Sequence, residues 1–289
     1  MLPLGQFCFR GTRRRYMVNS EQRTNQADLT IITISRDDAA GLALTLKSIS
    51  LQIVQPFEVV VVRCGTSLDL DLDEFGITSL SERSDPRNGI SGAFNAGLDA
   101  SSAAWVMFLN GGDELHDEST LKTLHEAIQS SSNPTVQIIG GFACSLRGGR
   151  VPVSRPRTLH DNLYLSHQAS IFRQSLFNSV GLFDTSYMIR MDLDWLARFG
   201  ERFGSKGILF IDSNLVRYEF EGVSSRRWIL FYLEELRVLI VHPVYVRRIF
   251  RVLFWDIPSR LASPTTWRRR FCRLIGRRAV SCDQRIEPR

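Results

Sequence analysis

Apolar positions come in short runs separated by polar turns, and the period of those runs predicts the elements. Leu29 to Ile34 is a β-branched run closed by Ser35-Arg36-Asp37-Asp38, after which Leu42, Leu44, Leu46, Ile49 and Leu51 recur with mostly helical spacing. Pro56 resets the chain, and Phe57 to Val62 makes a second buried strand that ends at Arg63-Cys64-Gly65-Thr66-Ser67. Two strands with a helix between them predict a right-handed parallel βαβ unit. Asp69 to Glu74 reads as a loop or short helix and Gly76 to Leu80 as a short third strand. The turn residues Ser84 to Gly89 then open a helix over about 90–101, whose small side chains suit close approach to a sheet or a ligand. Trp105 to Leu109 is apolar throughout, as expected of a strand buried on both faces, and it runs into the polar loop Asn110-Gly111-Gly112-Asp113. In open α/β sheets the carboxyl ends of such strands face the ligand crevice, so this loop is a candidate site; a plain strand-turn-helix corner is the alternative.

Downstream, a helix is expected from Asp117 through Leu121, Leu124 and Ile128, closed by the breaker cluster at 130–134. Val136 to Ala143 and Gly149 to Val153 read as a hairpin around Arg147-Gly148-Gly149. A strand over 167–172, a short helix over 174–180, a helix over 192–203, and closing strands over 207–212 and 215–218 complete an α/β pattern. From Ser224 the grammar changes to arginine-rich amphipathic helices, roughly 225–241, 243–256 and 265–279. Charges interrupt every window of transmembrane length there, so none is expected to span a bilayer.

Charge sharpens this division. The net charge is +6, but residues 223–289 hold fifteen arginines, no lysine and five acids, so the basic character belongs to the tail and the remainder is mildly acidic. Five scattered cysteines without a Cys-x-x-Cys pair disfavour a disulfide framework or thiolate metal site and fit a reducing cytosolic environment. Residues 1–27 lack the apolar core of a signal peptide and read as a disordered lead.

Four stretches, taken in order, resemble the family 2 glycosyltransferases, especially the bacterial exopolysaccharide and colanic-acid type. They are Ile31-Ile32-Thr33 with Leu42 to Ser48; Ser84-Asp85-Pro86 through Gly89, Ala93, Asn95 and Gly97; Phe108 to Asp113; and His167-Gln168-Ala169 through Gly181 to Asp184, Asp192 and Arg198. Gly222-Val223-Ser224-Ser225 closes the match. The resemblance implies a GT-A fold, with a Rossmann-like nucleotide-binding half and a mixed sheet over residues 28–223, followed by the helical tail over 224–289. It also implies a nucleotide-sugar donor, Mn²⁺ or Mg²⁺, and inversion at the anomeric carbon.

By that resemblance Asp113, with Asn110, is the expected metal site. Asp192 is the expected general base, a role worth about 10²–10⁴-fold in rate; an acid complementing a helix dipole is its other reading. Thr33, Arg63, Asn95, Asn110, His167 and Arg198 are the expected donor contacts. Each has a plainer reading: His167 as a satisfied core histidine, Asn95 as an amide held on backbone, and Arg198 as the i+4 partner of Asp194. Trp195 reads as core or as an acceptor platform. Arg63 and Cys64 stand where similar enzymes usually carry acids, and Gly112 where many carry a second aspartate. These departures encourage one alternative, a catalytically silent nucleotide-binding scaffold with the same fold. The expected acceptor is lipid-linked or an oligosaccharide in cell-surface polysaccharide or glycolipid synthesis. The tail is expected to meet an anionic membrane surface at the cytoplasmic inner face rather than nucleic acid.

Overall fold

The computed structural model describes residues 26–131, 133–145, 158–218 and 223–262. An eight-stranded mixed sheet forms its centre, in the order β3-β2-β1-β4-β7-β6-β8-β5. β1 (Gln26–Arg36), β2 (Gln55–Cys64), β3 (Leu80–Ser84) and β4 (Trp105–Asn110) are mutually parallel, with α1 (Ala39–Ser50) and α2 (Gly89–Ala100) as crossovers. Side chains alternate across a strand. Leu29, Ile31, Val59, Val61, Met107 and Leu109 therefore enter one apolar cluster, with Leu42, Leu46 and Ile49 of α1 and Leu121 and Leu124 of α3 (Thr120–Ser130). Ile32, Val60, Val62, Val106 and Phe108 enter the other, beneath α2 and α5 (Met191–Phe203).

Beyond β4 the sheet turns antiparallel through β7 (Ser170–Arg173), then continues with β6 (Ile138–Ser145), β8 (Ile208–Tyr218) and the two-residue β5 (Glu114–Leu115). Several expectations need correction here. The third strand lies at Leu80–Ser84, because Gly76 adopts φ 62° and ends a 3-10 turn over Asp73–Phe75, delaying the extended run. β6 pairs with β7 and β8, and the expected hairpin mate at 149–153 lies outside the described residues. The two closing strands are one strand, whose register against β6 shifts between Gly140 and Ala143. His167 precedes β7 in the connecting turn rather than beginning the strand.

α4 (Leu176–Ser179) is followed after α5 and β8 by α6 (Val223–Arg226) and α7 (Trp228–Val241). A 3-10 turn at Pro243–Tyr245, α8 (Arg247–Arg251), a π turn at Val252–Asp256 and α9 (Ile257–Ala262) come next. The helix expected over 265–279, the lead at 1–25 and Gly222 lie outside the described residues. This helical segment is built into the body: Tyr232, Val238, Leu239, Tyr245 and Val252 belong to the same cluster as Trp195 and Phe199 of α5. None of the helices among the described residues is long and apolar enough to cross a membrane.

Candidate active site

The loop after β4 is hung on the first βα unit. Gly111 N–H donates to Ile34 O (2.8 Å), and Gly112 N–H donates to Gly41 O (2.9 Å) and Thr45 Oγ1 (3.0 Å). Thr45 Oγ1 in turn donates to Asp113 O (2.7 Å). A Cβ on Gly111 would lie 3.3 Å from Ile34 O, so this glycine permits close approach to β1 rather than to a ligand. Gly112 has φ 97°, a left-handed conformation that glycine adopts without strain.

Within this loop Asp113 Oδ2 accepts from Asn110 N–H (3.0 Å) and Asn110 Nδ2 (3.1 Å), and the carboxylate is buried. Among the described residues no lysine or arginine forms an ion pair with it. Burial pushes the Asp113 carboxyl up to about 6, against the Asn110 backbone donor, the charge of His167 and the Asn110 side chain. A buried carboxylate without a cationic side chain is suited to a hard cation, because such an ion supplies the missing counter-charge. Asp113 with Asn110 is the oxygen set that would hold a divalent ion, with phosphate and water oxygens completing it. No cluster of three or more His, Cys, Asp or Glu side chains fit to bind a metal occurs among the described residues.

Facing the loop, His167 Nδ1 lies 3.0 Å from Asp192 Oδ2, while Asp192 Oδ1 accepts from Leu193 N–H (2.8 Å) in the first turn of α5. Burial alone would raise the Asp192 carboxyl, but the hydrogen bond and charge of His167, the charge of Arg190 and the Leu193 N–H outweigh it and hold it at about 2. Asp192 is therefore an anion throughout the neutral range. His167 Nε2 is sealed from solvent and has no hydrogen-bond partner among the described residues. Tyr218, at the end of β8, has its phenol raised by burial and then by the charges of Asp113 and Asp192. Asn110, Asp113, His167, Asp192 and Tyr218 thus gather at the carboxyl end of β4.

Three other expected contacts, Arg63, Asn95 and Arg198, have partners within the fold, and a fourth, Thr33, is sealed in the sheet. Arg63 is buried; it donates to Glu82 (3.0 and 2.9 Å) and to the carbonyls of Ser67 and Leu70, clamping the turn after β2. Asn95 exchanges both amide bonds with the backbone of Phe183. Arg198 donates to Asp194 Oδ2 and to the carbonyls of Val180 and Leu182, which is the i+4 reading plus a loop brace. Thr33 is fully enclosed in the sheet. Trp195 is core, its Nε1–H donating to Gly181 O. Thr45 and Tyr218 carried no local sequence signal, since a threonine inside a helix and a tyrosine closing a strand are ordinary residues there.

Solved structures share the fold at low sequence identity. Staphylococcus aureus TarS residues 1–349 in complex with UDP-GlcNAc superposes with a TM-score of 0.59 at 16% identity, covering 83% of this chain and 78% of that one. The chain spans 39% of the longer TarS chain. Glucosyl-3-phosphoglycerate synthase from Mycobacterium tuberculosis, in complex with Mn²⁺, UDP and glucosyl-3-phosphoglycerate, gives 0.53 at 17% identity over 80% and 86%. The fold is GT-A.

In sequence, the GT-A chain is 29% identical over 178 residues to a PGL/p-HBAD biosynthesis glycosyltransferase of Mycobacterium tuberculosis, spanning 58% of this chain and 68% of the relative. No family model matches. The relatives and the fold together support a glycosyltransferase family for this chain.

Proposed function

We propose that this GT-A protein is an inverting, metal-dependent glycosyltransferase of the exopolysaccharide type. It moves a sugar from a nucleotide-sugar donor to a lipid-linked or saccharide acceptor. The observation that carries the reading is the convergence of a buried carboxylate without a lysine or arginine partner, Asp113, and one that is ionised at neutral pH, Asp192, at the end of β4. Their environments push their pKa values apart, which is how two carboxylates take different roles in one site. The UDP-GlcNAc and Mn²⁺-UDP complexes of the structural neighbours support a nucleotide-sugar donor and a divalent ion.

In this mechanism Asp113 and Asn110 would hold the divalent ion, which would supply charge neutralisation for the leaving diphosphate. Asp192 takes the acceptor hydroxyl proton, and His167 fixes the orientation of the accepting carboxylate through Oδ2. Measuring donor hydrolysis and transfer with a panel of nucleotide sugars plus Mn²⁺ or Mg²⁺ tests this. Wild type should turn over at least one donor and Asp192→Asn should lose about 10²-fold or more. Equal inertness of both, with nucleotide still bound, would favour the silent-scaffold alternative.

The acceptor side of the proposal places the protein peripherally at the inner face of a membrane. Among the described residues of the helical segment the acids Glu234, Glu235 and Asp256 are buried, whereas Ile229, Leu233, Ile240, Phe250, Phe254 and Trp255 are exposed, as are Arg226, Arg227 and Arg247. An outer surface that is apolar and cationic suits anionic headgroups. Because Tyr245 and Val252 are core, deleting residues 243–289 would disturb folding, and point changes are the better probe. Flotation with anionic vesicles should drop for Phe250→Ser with Phe254→Ser; unchanged flotation would remove the membrane from the proposal.

A further inference from the structure

The helix α7 carries a carboxylate whose task is not explained by packing alone. Glu234 is 6% exposed, and its two oxygens accept from three consecutive backbone N–H groups, those of Met188 (2.8 Å), Ile189 (2.9 Å) and Arg190 (2.9 Å). Those residues are the approach to α5. The cap position of α5 is Arg190, and no side chain caps the helix from that position. A helix start leaves donors that need acceptors, and a carboxylate from α7 meets this need just ahead of the first turn.

Two more side chains on the same face of α7 hold the last of these residues, Arg190. Arg190 lies over the ring of Phe231 (4.3 Å to the centroid) and pairs with Glu235 (3.5 Å). Phe231, Glu234 and Glu235 are spaced i, i+3 and i+4, so they present one continuous surface to residues 188–190. Asp192 follows Arg190 by two residues, and its direction is fixed by the first turn of α5. Geometry at a reacting group is worth much: a misplacement of about 1 Å can cost about 10²-fold.

We propose that Glu234 is a positioning residue for Asp192, setting the start of α5 so that the carboxylate faces His167 and the acceptor. The inference rests on the reading of Asp192 as the base. It assigns α7 a part in the reaction, although α7 lies outside the nucleotide-binding half.

The test compares transfer by wild type, Asp192→Asn, Glu234→Gln and Glu234→Ala, each checked for cooperative unfolding and nucleotide binding. Glu234→Ala should lower kcat about 10–100-fold with the donor KM unchanged within about twofold. Glu234→Gln, which keeps one acceptor oxygen, should fall between the two and serves if the alanine variant does not fold. Hydrogen exchange should quicken at Met188, Ile189 and Arg190 in both variants. A purely structural role would reduce the folded fraction and so lower the amplitude of nucleotide binding together with activity. If Asp192→Asn is inert and a folded Glu234 variant keeps wild-type kcat, the positioning role is overturned while the base assignment stands. If Asp192→Asn transfers like wild type, the base assignment fails and takes this inference with it.

Discussion

His167 Nδ1 and Asp192 Oδ2, 25 residues apart in sequence, meet at 3.0 Å and join the turn before β7 to the first turn of α5. The contact ties the approach to β7 to a helix packed on the sheet, and His167 is the strongest of the groups that lower the Asp192 carboxyl.

Removing the imidazole should expose what it compensates. A carboxyl held near 2 against an ordinary 3.8 contributes stability that is present above about pH 4 and lost as pH falls through about 2. His167→Ala should therefore lose on the order of 2 kcal/mol at pH 5 and much less near pH 2, checked by chemical unfolding across that range. Transfer should fall as well, because the accepting oxygen loses its orientation.

Asp113 carries the opposite sign. Its carboxyl is raised to about 6, so ionisation opposes folding; the penalty is absent below about pH 4, grows through 6 and is complete above. Asp113→Asn keeps an acceptor oxygen for the Asn110 donors and should raise the melting temperature by several degrees at pH 7.5, with no gain at pH 4. The same variant should lose metal-dependent nucleotide binding. A melting temperature unchanged at both pH values would mean that the carboxylate is not desolvated.

Protons and metal should compete at that carboxylate. Mn²⁺ affinity measured by calorimetry should be level above about pH 7 and fall about tenfold per unit below about 6. A flat profile down to pH 5 would assign the ion to other ligands.

Arg63, near the end of β2, tests whether an expected donor contact serves the ligand or the fold. Its guanidinium is spent on Glu82 and two carbonyls, so Arg63→Ala should cost on the order of 3 kcal/mol in stability. Among folded molecules the order of preference for UDP, GDP, dTDP and CMP should stay as in wild type, measured by thermal shift.

The parallel half was legible because each element there satisfies its own local rule. β1, β2 and β4 are apolar on both faces, and α1 and α2 have turn residues at their starts. The loop at Asn110 could be found as the polar end of a buried strand. The mixed half beyond β4 was not legible in the same way: β6 takes an antiparallel partner about 30 residues downstream and a parallel one about 70 residues downstream, and nothing in the local pattern records that. The intramolecular partners of the expected donor contacts were hidden for a related reason. Whether Arg63, Asn95 or Arg198 meets a ligand or a carbonyl depends on which backbone oxygens the fold brings nearby. Glu234 and Glu235 gave a signal, two acids in a helix whose only other charge is Arg237, but it reads as an interruption of hydrophobicity until residues 188–190 are seen against them.

The suspension of the Asn110–Asp113 loop from Ile34, Gly41 and Thr45 has a thermodynamic consequence for ligand capture. The loop is already ordered in the free protein, so little chain entropy remains to be lost when a nucleotide arrives. Affinity at this loop is then set mainly by the exchange of water and protons for phosphate and metal, and conditions in solution, more than conformational closure of the loop, should decide how tightly a donor is held.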